Sequence, residues 1–227
     1  MATTRPLRTG VARRHAVAMR ATALALVSVL VSALAFLAPS PAVSAPAPVT
    51  RDHLLTTDDY ASVYPGMRDP SRLVLRSPLF APRGCEDRGL VVRGSSRILG
   101  SVSPGVRPRA VALIDQHVVR FGSRKQARAL VRRYRAFSEE CVGNVRTDDG
   151  EGGTVTLKNR AWFPPRVGDQ SAGMLVGWLQ GGSTDWRRLL VVRVGRTVSV
   201  LDIDFTDVRP PRDGVVALGE LAADRLR

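Results

Sequence analysis

The chain has 227 residues, of which 44% are hydrophobic and 24% are charged; these values are typical of a globular protein and exclude wholesale disorder and a polytopic membrane protein. Basic residues outnumber acidic ones by 34 to 20, and all but Lys125 and Lys158 are arginines, a bias that indicates GC-rich coding more than a binding surface. Aromatic residues make up only 5%, so the core has to be built from Val, Leu, Ile and Ala.

The first 45 residues have the order of a secretory signal. Five arginines and no acid precede an apolar run at 21–38, and the small residues of 39–45 follow it. The alternative is a retained membrane anchor, since the run at 21–38 is just long enough to span a bilayer. Under both interpretations the rest of the chain lies outside the cytoplasm, either secreted or anchored on the outer face of the membrane.

The charge of the exported part changes the expected partner. Without residues 1–45 the chain has 29 basic and 20 acidic residues, a net charge of +9. Outside the cytoplasm the available anions are envelope polymers and phospholipid headgroups, so we do not expect nucleic acid as a partner.

The exported part begins with a linker and one short helix. Residues 46–52 are rich in Pro and Ala and predict a linker, followed by a domain at 53–227. Thr56 and the acids after it are typical of a helix start, and Pro65-Gly66 ends that helix. Residues 66–105 are expected to be irregular, with a short strand at 73–75.

A strand at 109–121 and a long helix come next. Ser123 and Gln126 form a capping-box pattern, and apolar residues then recur every three or four positions as far as Cys141. This spacing predicts an amphipathic helix of about 18 residues. Residues 142–152 are expected to form a polar turn.

The remaining pattern predicts four strands and a final helix. The strands are 155–163, 174–179, 186–194 and 197–205, and Gly195-Arg196 joins the last two as a hairpin turn. The apolar positions change parity at Val200-Leu201, which predicts a β-bulge. With a helix at 213–226, the chain predicts an α+β fold: an antiparallel meander sheet of about five to six strands with two main helices packed on one side.

Cys85 and Cys141 are the only cysteines in the chain. An even number of cysteines in an exported protein favours a disulfide, and the alternative is two separate buried thiols. Two cysteines without a nearby histidine do not provide the four ligands of a structural zinc site, so no metal is expected. A disulfide that closes the loop between residues 85 and 141 stabilises the fold by about 4 kcal/mol in the chain-entropy model.

The order and spacing of several segments resemble the PknH-like extracellular domain family, the sensor domain of actinobacterial membrane kinases and of stand-alone exported proteins. The segments, spread over most of residues 53–226, are 53–60, Val119–Ser123, the helix ending in Cys141, Val167–Ser171 and Val192–Arg196. The resemblance implies a strongly bent antiparallel sheet and two main helices around a cleft that is proposed to bind an unidentified ligand. It also implies two disulfides, of which this sequence provides one. No kinase domain is present, so the signalling role does not carry over.

Motifs of catalysis are absent from the sequence. There is no Gly-x-Ser-x-Gly motif, no phosphate-binding loop and no dinucleotide fingerprint, so we expect no enzyme and no cofactor. Asp115 and His117 share one strand face, either as an acid/base pair or, as we favour, as part of a polar face. Asp202 and Asp204 are paired in the same way, and a solvated sheet face is again the favoured interpretation.

Two further groups of residues have a structural and a functional interpretation. Trp162, Trp178 and Trp186 lie in or beside predicted strands, where core packing is favoured over a stacking platform for a sugar or lipid. Cations cover the polar side of the long helix, either for phosphate recognition or through ordinary amphipathicity; they are Arg124, Lys125, Arg128, Arg132, Arg133 and Arg135.

These observations favour a non-catalytic, monomeric exported sensor or ligand-binding domain that holds a small cell-envelope component in a cleft. The candidate ligand-binding residues are Trp178, Trp186, Asp202, Asp204 and His117. The first alternative is a structural envelope protein that binds anionic polymer through the basic helix. The second is an unrecognised hydrolase.

Overall fold

A computed structural model describes residues 48–65, 73–75, 79–85, 89–92, 99–104, 113–148 and 153–227. Signal or anchor residues 1–45 lie outside the described residues, and that prediction stays open. The described helices are α1 (Thr57–Val63), α2 (Arg124–Glu140) and α3 (Arg212–Arg225). The strands are β1 (Leu73–Leu75), β2 (Phe80–Pro82), β3 (Gly89–Val91), β4 (Leu99–Pro104), β5 (Leu113–Arg120), β6 (Gly143–Asp148), β7 (Thr154–Arg160), β8 (Gln170–Gln180), β9 (Ser183–Val194) and β10 (Thr197–Thr206).

Eight strands form one antiparallel sheet in the order β1-β4-β5-β10-β9-β8-β7-β6, and β2 and β3 pair as a separate two-stranded sheet. The α+β class with an antiparallel sheet is therefore confirmed. The large sheet exceeds the expected five to six strands because β4 and β6 lie in segments predicted to be irregular or a turn. In β6, half-buried and exposed residues alternate without an apolar run, so its pairing with β7, rather than its composition, makes it a strand.

The two long helices pack on opposite faces of the sheet, and the prediction of helices on one side was wrong. Residues of α2 pack with Val198 and Val200 of β10, whereas residues of α3 pack with Leu201 and Ile203 of the same strand. Neighbouring residues of a strand point to opposite faces, so a strand covered on both sides is apolar at both parities.

This two-sided burial also explains the change of parity in β10. The strand pairs without interruption with β5 and with β9, from Thr197 to Asp204 on both sides. The predicted β-bulge at Val200-Leu201 is therefore absent. The apolar positions change parity because the residues that pack with α2, Val198 and Val200, lie near the start of the strand. The residues that pack with α3, such as Leu201 and Ile203, lie further along it.

The start of α2 follows the predicted capping box. The amide of Gln126 donates to Oγ of Ser123 at 3.2 Å, and the amide of Ser123 donates to Oε1 of Gln126 at 3.1 Å. The two reciprocal bonds satisfy amides that the helix itself leaves without partners. They fix the direction in which α2 leaves the end of β5.

The predicted disulfide joins Cys85, just after β2, to Cys141 at the end of α2, with an S–S distance of 2.01 Å. It ties the β2–β3 hairpin to the helix. At the other end of the domain, Val49 is 4% exposed and packs with Leu54, Val118 and Leu226. The buried fold therefore begins inside the segment 46–52 that was predicted as a linker.

Candidate functional site

Polar residues from β5, β9 and β10 meet on the α2 face of the sheet, beyond the apolar rows on which the helix packs. The register places Asp202 of β10 opposite Asp115 of β5, and Asp204 opposite Arg187 of β9. Residues directly opposite in an antiparallel pair have Cβ atoms about 5 Å apart. The sheet itself therefore brings these carboxylates and the arginine together.

Two adjacent cavities open over these residues, and both are lined by Arg187; we call them together the cleft. The first has a volume of about 380 Å³ and is lined by His117, Tyr134 and Asp202 and, on the other wall, by the β2–β3 hairpin. The second has a volume of about 350 Å³ and is lined by Trp178, Asp185 and Asp204, among others.

Arg187 is the cation at the centre of the cleft. Its Nε lies 3.1 Å from Oδ1 of Asp204, and its Nη1 lies 3.9 Å from Oδ2 of Asp202. The Asp204 side chain is 16% exposed, and its Oδ1 is buried and accepts no well-aligned hydrogen bond from any described group. Asp115 and Asp185 add two further carboxylates to the same surroundings.

Two carboxyl groups of the cleft, Asp204 and Asp115, have raised pKa values. Burial raises the pKa of Asp204 to about 6, against the attraction of Arg187, and the charges of Asp115 and Asp185 add to the rise. Burial also raises the pKa of Asp115. For His117, burial lowers the pKa and Asp115 opposes this, so the imidazole is neutral at pH 7. The cleft therefore offers a carboxyl group that exchanges its proton near pH 6 in one cavity and the imidazole of His117 in the other.

Four of the five candidate ligand-binding residues meet in the cleft: His117, Trp178, Asp202 and Asp204. Trp186 does not lie in the cleft. It has the same parity in β9 as Leu190 and Val192, so its side chain points to the α3 face, where it is 8% exposed. There its ring lies over Gly177, at which a Cβ would come within 2.9 Å of the indole.

Sequence reasoning missed Arg187, Asp185 and the hairpin wall. The signal for Arg187 was available, because a two-residue turn at Gly195-Arg196 pairs Val194 with Thr197 and, counting back along the hairpin, Arg187 with Asp204. The wall formed by β2 and β3 had no such signal, since it reaches the cleft through tertiary packing and the Cys85–Cys141 bridge.

The other singled-out residues lie away from the cleft. Trp162 is buried on the α3 face against Gly173, which agrees with core packing. All six cations of α2 are exposed, and Arg135 donates from Nη2 to the carbonyl oxygen of Ser171 at 3.1 Å. That hydrogen bond gives Arg135 a structural role.

The described residues contain no group of three or more His, Cys, Asp or Glu side chains placed to hold a metal ion. In the same part of the chain, no helix is both long enough and apolar enough to cross a membrane.

Comparison with known proteins gives a likeness of fold. No family model matches the sequence, and no curated protein matches it. Among solved structures, the extracellular domain of PknH from Mycobacterium tuberculosis matches with a TM-score of 0.52 and 14% identity, over 79% of this chain and 97% of that one. LpqN, described as involved in cell envelope biogenesis of Mycobacterium tuberculosis, matches with a TM-score of only 0.25 and 11% identity, over 69% and 81%. The chain thus shares the fold of the PknH extracellular domain, and the resemblance noted in the sequence is supported at the level of structure.

Proposed function

We propose that this protein is a non-catalytic, exported ligand-binding domain that holds a small polar component of the cell envelope in the cleft. The observation that carries the proposal is that Trp178, His117, Asp202 and Asp204 line two cavities that share Arg187, with the five residues coming from four strands. Export is supported by the signal-like order of residues 1–45, by the disulfide, and by a shared fold with a domain that is extracellular in PknH.

The cleft has the size and lining of a small-molecule site. Its two cavities, about 350 and 380 Å³, fall within the usual range of roughly 300–1,000 Å³ for ligand pockets. Trp178 and Phe80 provide aromatic surface, while the carboxylates accept hydrogen bonds and Arg187 donates them. This combination favours a ligand with several hydroxyl or amine groups on a compact frame.

A binding role is favoured over the hydrolase alternative by the composition of the cleft lining. Covalent catalysis assisted by His117 and Asp115 would need a side-chain nucleophile within hydrogen-bond reach. Among the described residues that line the cleft, the hydroxyl groups belong to Tyr134 and Thr206, and that of Tyr134 donates to the carbonyl oxygen of Phe80 at 2.9 Å. A tyrosine committed to the backbone in this way holds the hairpin wall in place.

The basic helix supports the second candidate function, attachment to anionic envelope polymer. Arg128 and Arg132 are exposed on the outer side of α2 and form no ion pair with any described residue. Exposed arginines of this kind attract polyanions in a salt-dependent manner. The cleft remains the better supported site, because it combines a shaped cavity with buried polar groups.

Mass spectrometry of small molecules that co-purify with the secreted protein tests the proposal. The cleft variant Trp178→Ala/Asp204→Ala removes the aromatic surface and one carboxylate, and Arg128→Gln/Arg132→Gln changes two exposed residues elsewhere. We expect a defined compound with the parent and with the α2 variant, and its loss from the cleft variant. An equal amount with all three proteins, or none with the parent, would overturn the proposal.

A further inference from the structure

The α3 face of the sheet carries a cluster of arginines at the start of α3. Arg188 of β9 is only 3% exposed, and its guanidinium carbon lies 4.6 Å from the centre of the Trp162 ring. Its Nε donates to the carbonyl oxygen of Pro210 at 2.8 Å, and Pro210 directly precedes the N-cap of the helix. Its Nη1 is buried and has no hydrogen-bond partner among the described residues. A buried cation with an unused donor is thus held at a helix N-terminus.

No acid neutralises this cation within the described part of the chain. Neither Arg188 nor the exposed Arg209 and Arg212 beside it forms an ion pair there; Arg209 instead stacks over the ring of Trp186 at 4.6 Å. Burial and the charges of Arg212 and Arg209 lower the pKa of Arg188 to about 10, so the three cations repel one another. Asp213, the acid in the first turn of α3, is exposed and pairs with none of them.

Further donors lie at this end of the helix. The N-cap, Pro211, has no side chain that can accept from the first-turn amides, which an α-helix leaves without internal partners. The hydroxyl of Tyr64 is buried and has no hydrogen-bond partner in the described part of the chain. It lies against the first turn, 2.8 Å from the position that a Cβ on Gly214 would take. Guanidinium groups, helix amides and a hydroxyl therefore lie close together at the start of α3, where the described acceptors include the carbonyl oxygen of Pro210 and the exposed carboxylate of Asp213.

We propose that Arg188, Arg209 and Arg212 and the N-terminus of α3 bind a tetrahedral oxyanion of the phosphate class. Arginine forks match the geometry of phosphate oxygens, and helix N-termini favour anions through their free amides and the helix dipole. The exposed Arg209 and Arg212 meet the anion first, and Arg188 supplies the inner charge. This site lies on the face of the sheet opposite the cleft, so it is independent of the proposed function.

The proposal is tested by titration with inorganic phosphate, followed by calorimetry and by the melting temperature. Chloride keeps the ionic strength constant throughout. Arg209→Gln/Arg212→Gln alters only exposed side chains, so it keeps the fold even if Arg188→Met impairs it. Arg128→Gln/Arg132→Gln on α2 removes the same charge elsewhere and is the matched control. We expect saturable binding in the parent and the control, and at least about a tenfold loss of affinity in the other two variants, as for removal of hydrogen bonds between charged groups.

Absence of saturable phosphate binding, or equal binding by the parent and Arg209→Gln/Arg212→Gln, would overturn the proposal. The source of the phosphoryl group is decided by a second arm, co-sedimentation with phosphatidylglycerol vesicles in the presence and absence of free phosphate. Vesicle binding that free phosphate displaces assigns the site to a lipid headgroup. Phosphate binding without vesicle binding assigns it to a soluble phosphate compound.

Discussion

Arg187 of β9 and Asp204 of β10 are direct cross-strand partners, and Nε of the arginine lies 3.1 Å from Oδ1 of the aspartate. The arginine side chain is 46% exposed and the carboxylate is 16% exposed. Burial therefore costs the carboxylate more hydration free energy than the attraction of the half-exposed arginine offsets. This imbalance is why the pKa of Asp204 is raised to about 6 in spite of a neighbouring cation.

The raised pKa predicts how stability depends on pH. The folded state holds the proton of Asp204 more tightly than the unfolded state, so the contribution of this group is greatest below about pH 4 and falls as pH rises to about 6. Asp204→Asn removes the charge, and its stability relative to the parent should rise by up to about 3 kcal/mol between pH 4 and pH 7. Urea unfolding at both pH values measures the difference. Glu220→Gln, at an exposed position of α3, should show no such rise, and parallel pH curves for Asp204→Asn and the parent would contradict the prediction.

The disulfide predicts a second stability effect, confined largely to one wall of the cleft. Cys85→Ser/Cys141→Ser should lower the free energy of unfolding by about 2–4 kcal/mol, because the open loop gains entropy in the unfolded state. In the folded state, β2 and β3 lose their covalent tie to α2. Hydrogen exchange should therefore accelerate in 79–85 and 89–92 well before it accelerates in β9 and β10. Uniform acceleration over the whole sheet would show that the bridge acts only through global stability.

A third prediction concerns Asp169, which supports the β9–β10 hairpin from outside the strands. Its Oδ2 accepts from the amide of Gly195 at 2.8 Å and from Nη1 of Arg193 at 3.0 Å, and these donors lower the pKa of Asp169, the Gly195 amide most. The Arg193 side chain is only 7% exposed, so Asp169→Ala leaves a buried cation with fewer partners. We expect a loss of about 1–2 kcal/mol at pH 7 by chemical denaturation, and this loss should shrink as the pH falls below the ordinary aspartate range and through the lowered pKa of Asp169. An unchanged midpoint at pH 7 would contradict this.

The fourth prediction addresses the basic helix. Reversing Arg128 and Arg132 to Glu should leave the fold intact, because both side chains are exposed and lie off the face that packs on the sheet. We also expect co-sedimentation with isolated cell walls to match the parent at low salt. A salt-sensitive loss of sedimentation would instead favour attachment to anionic polymer. Arg135 is left unchanged, since it donates a hydrogen bond to the carbonyl oxygen of Ser171.

The elements that the sequence predicts well are those whose signals are local. The Ser123–Gln126 box and the apolar spacing of α2 depend on neighbours within one or two turns, and the structure has both. The bulge predicted at Val200-Leu201 failed for a tertiary reason. Two helices cover β10 on opposite faces, and a single strand's parity pattern does not distinguish a bulge from burial on both sides.

In the candidate site, too, the sequence predicts what depends on local signals and misses what depends on tertiary packing. Asp202, Asp204 and His117 were selected by parity along single strands, and parity is preserved in the sheet. Trp186 was selected only by residue type, although its position has the opposite parity to Arg187 and it points to the other face. The arginine cluster at Arg188 has no sequence signal, because its members come from β9, from the segment before α3 and from the first residue of α3, and they meet only after folding.

The most direct test of the cleft as a binding site is a two-dimensional ¹⁵N NMR titration of the protein with a polar small-molecule extract of the cell envelope. Our account predicts saturable shifts at the amides of Asp115, Arg187, Asp202 and Asp204 and at the indole NH of Trp178, with little change along the outer face of α2. The same shifts should be absent in Trp178→Ala/Asp204→Ala. No saturable shift in the cleft, or shifts confined to α2, would contradict the account.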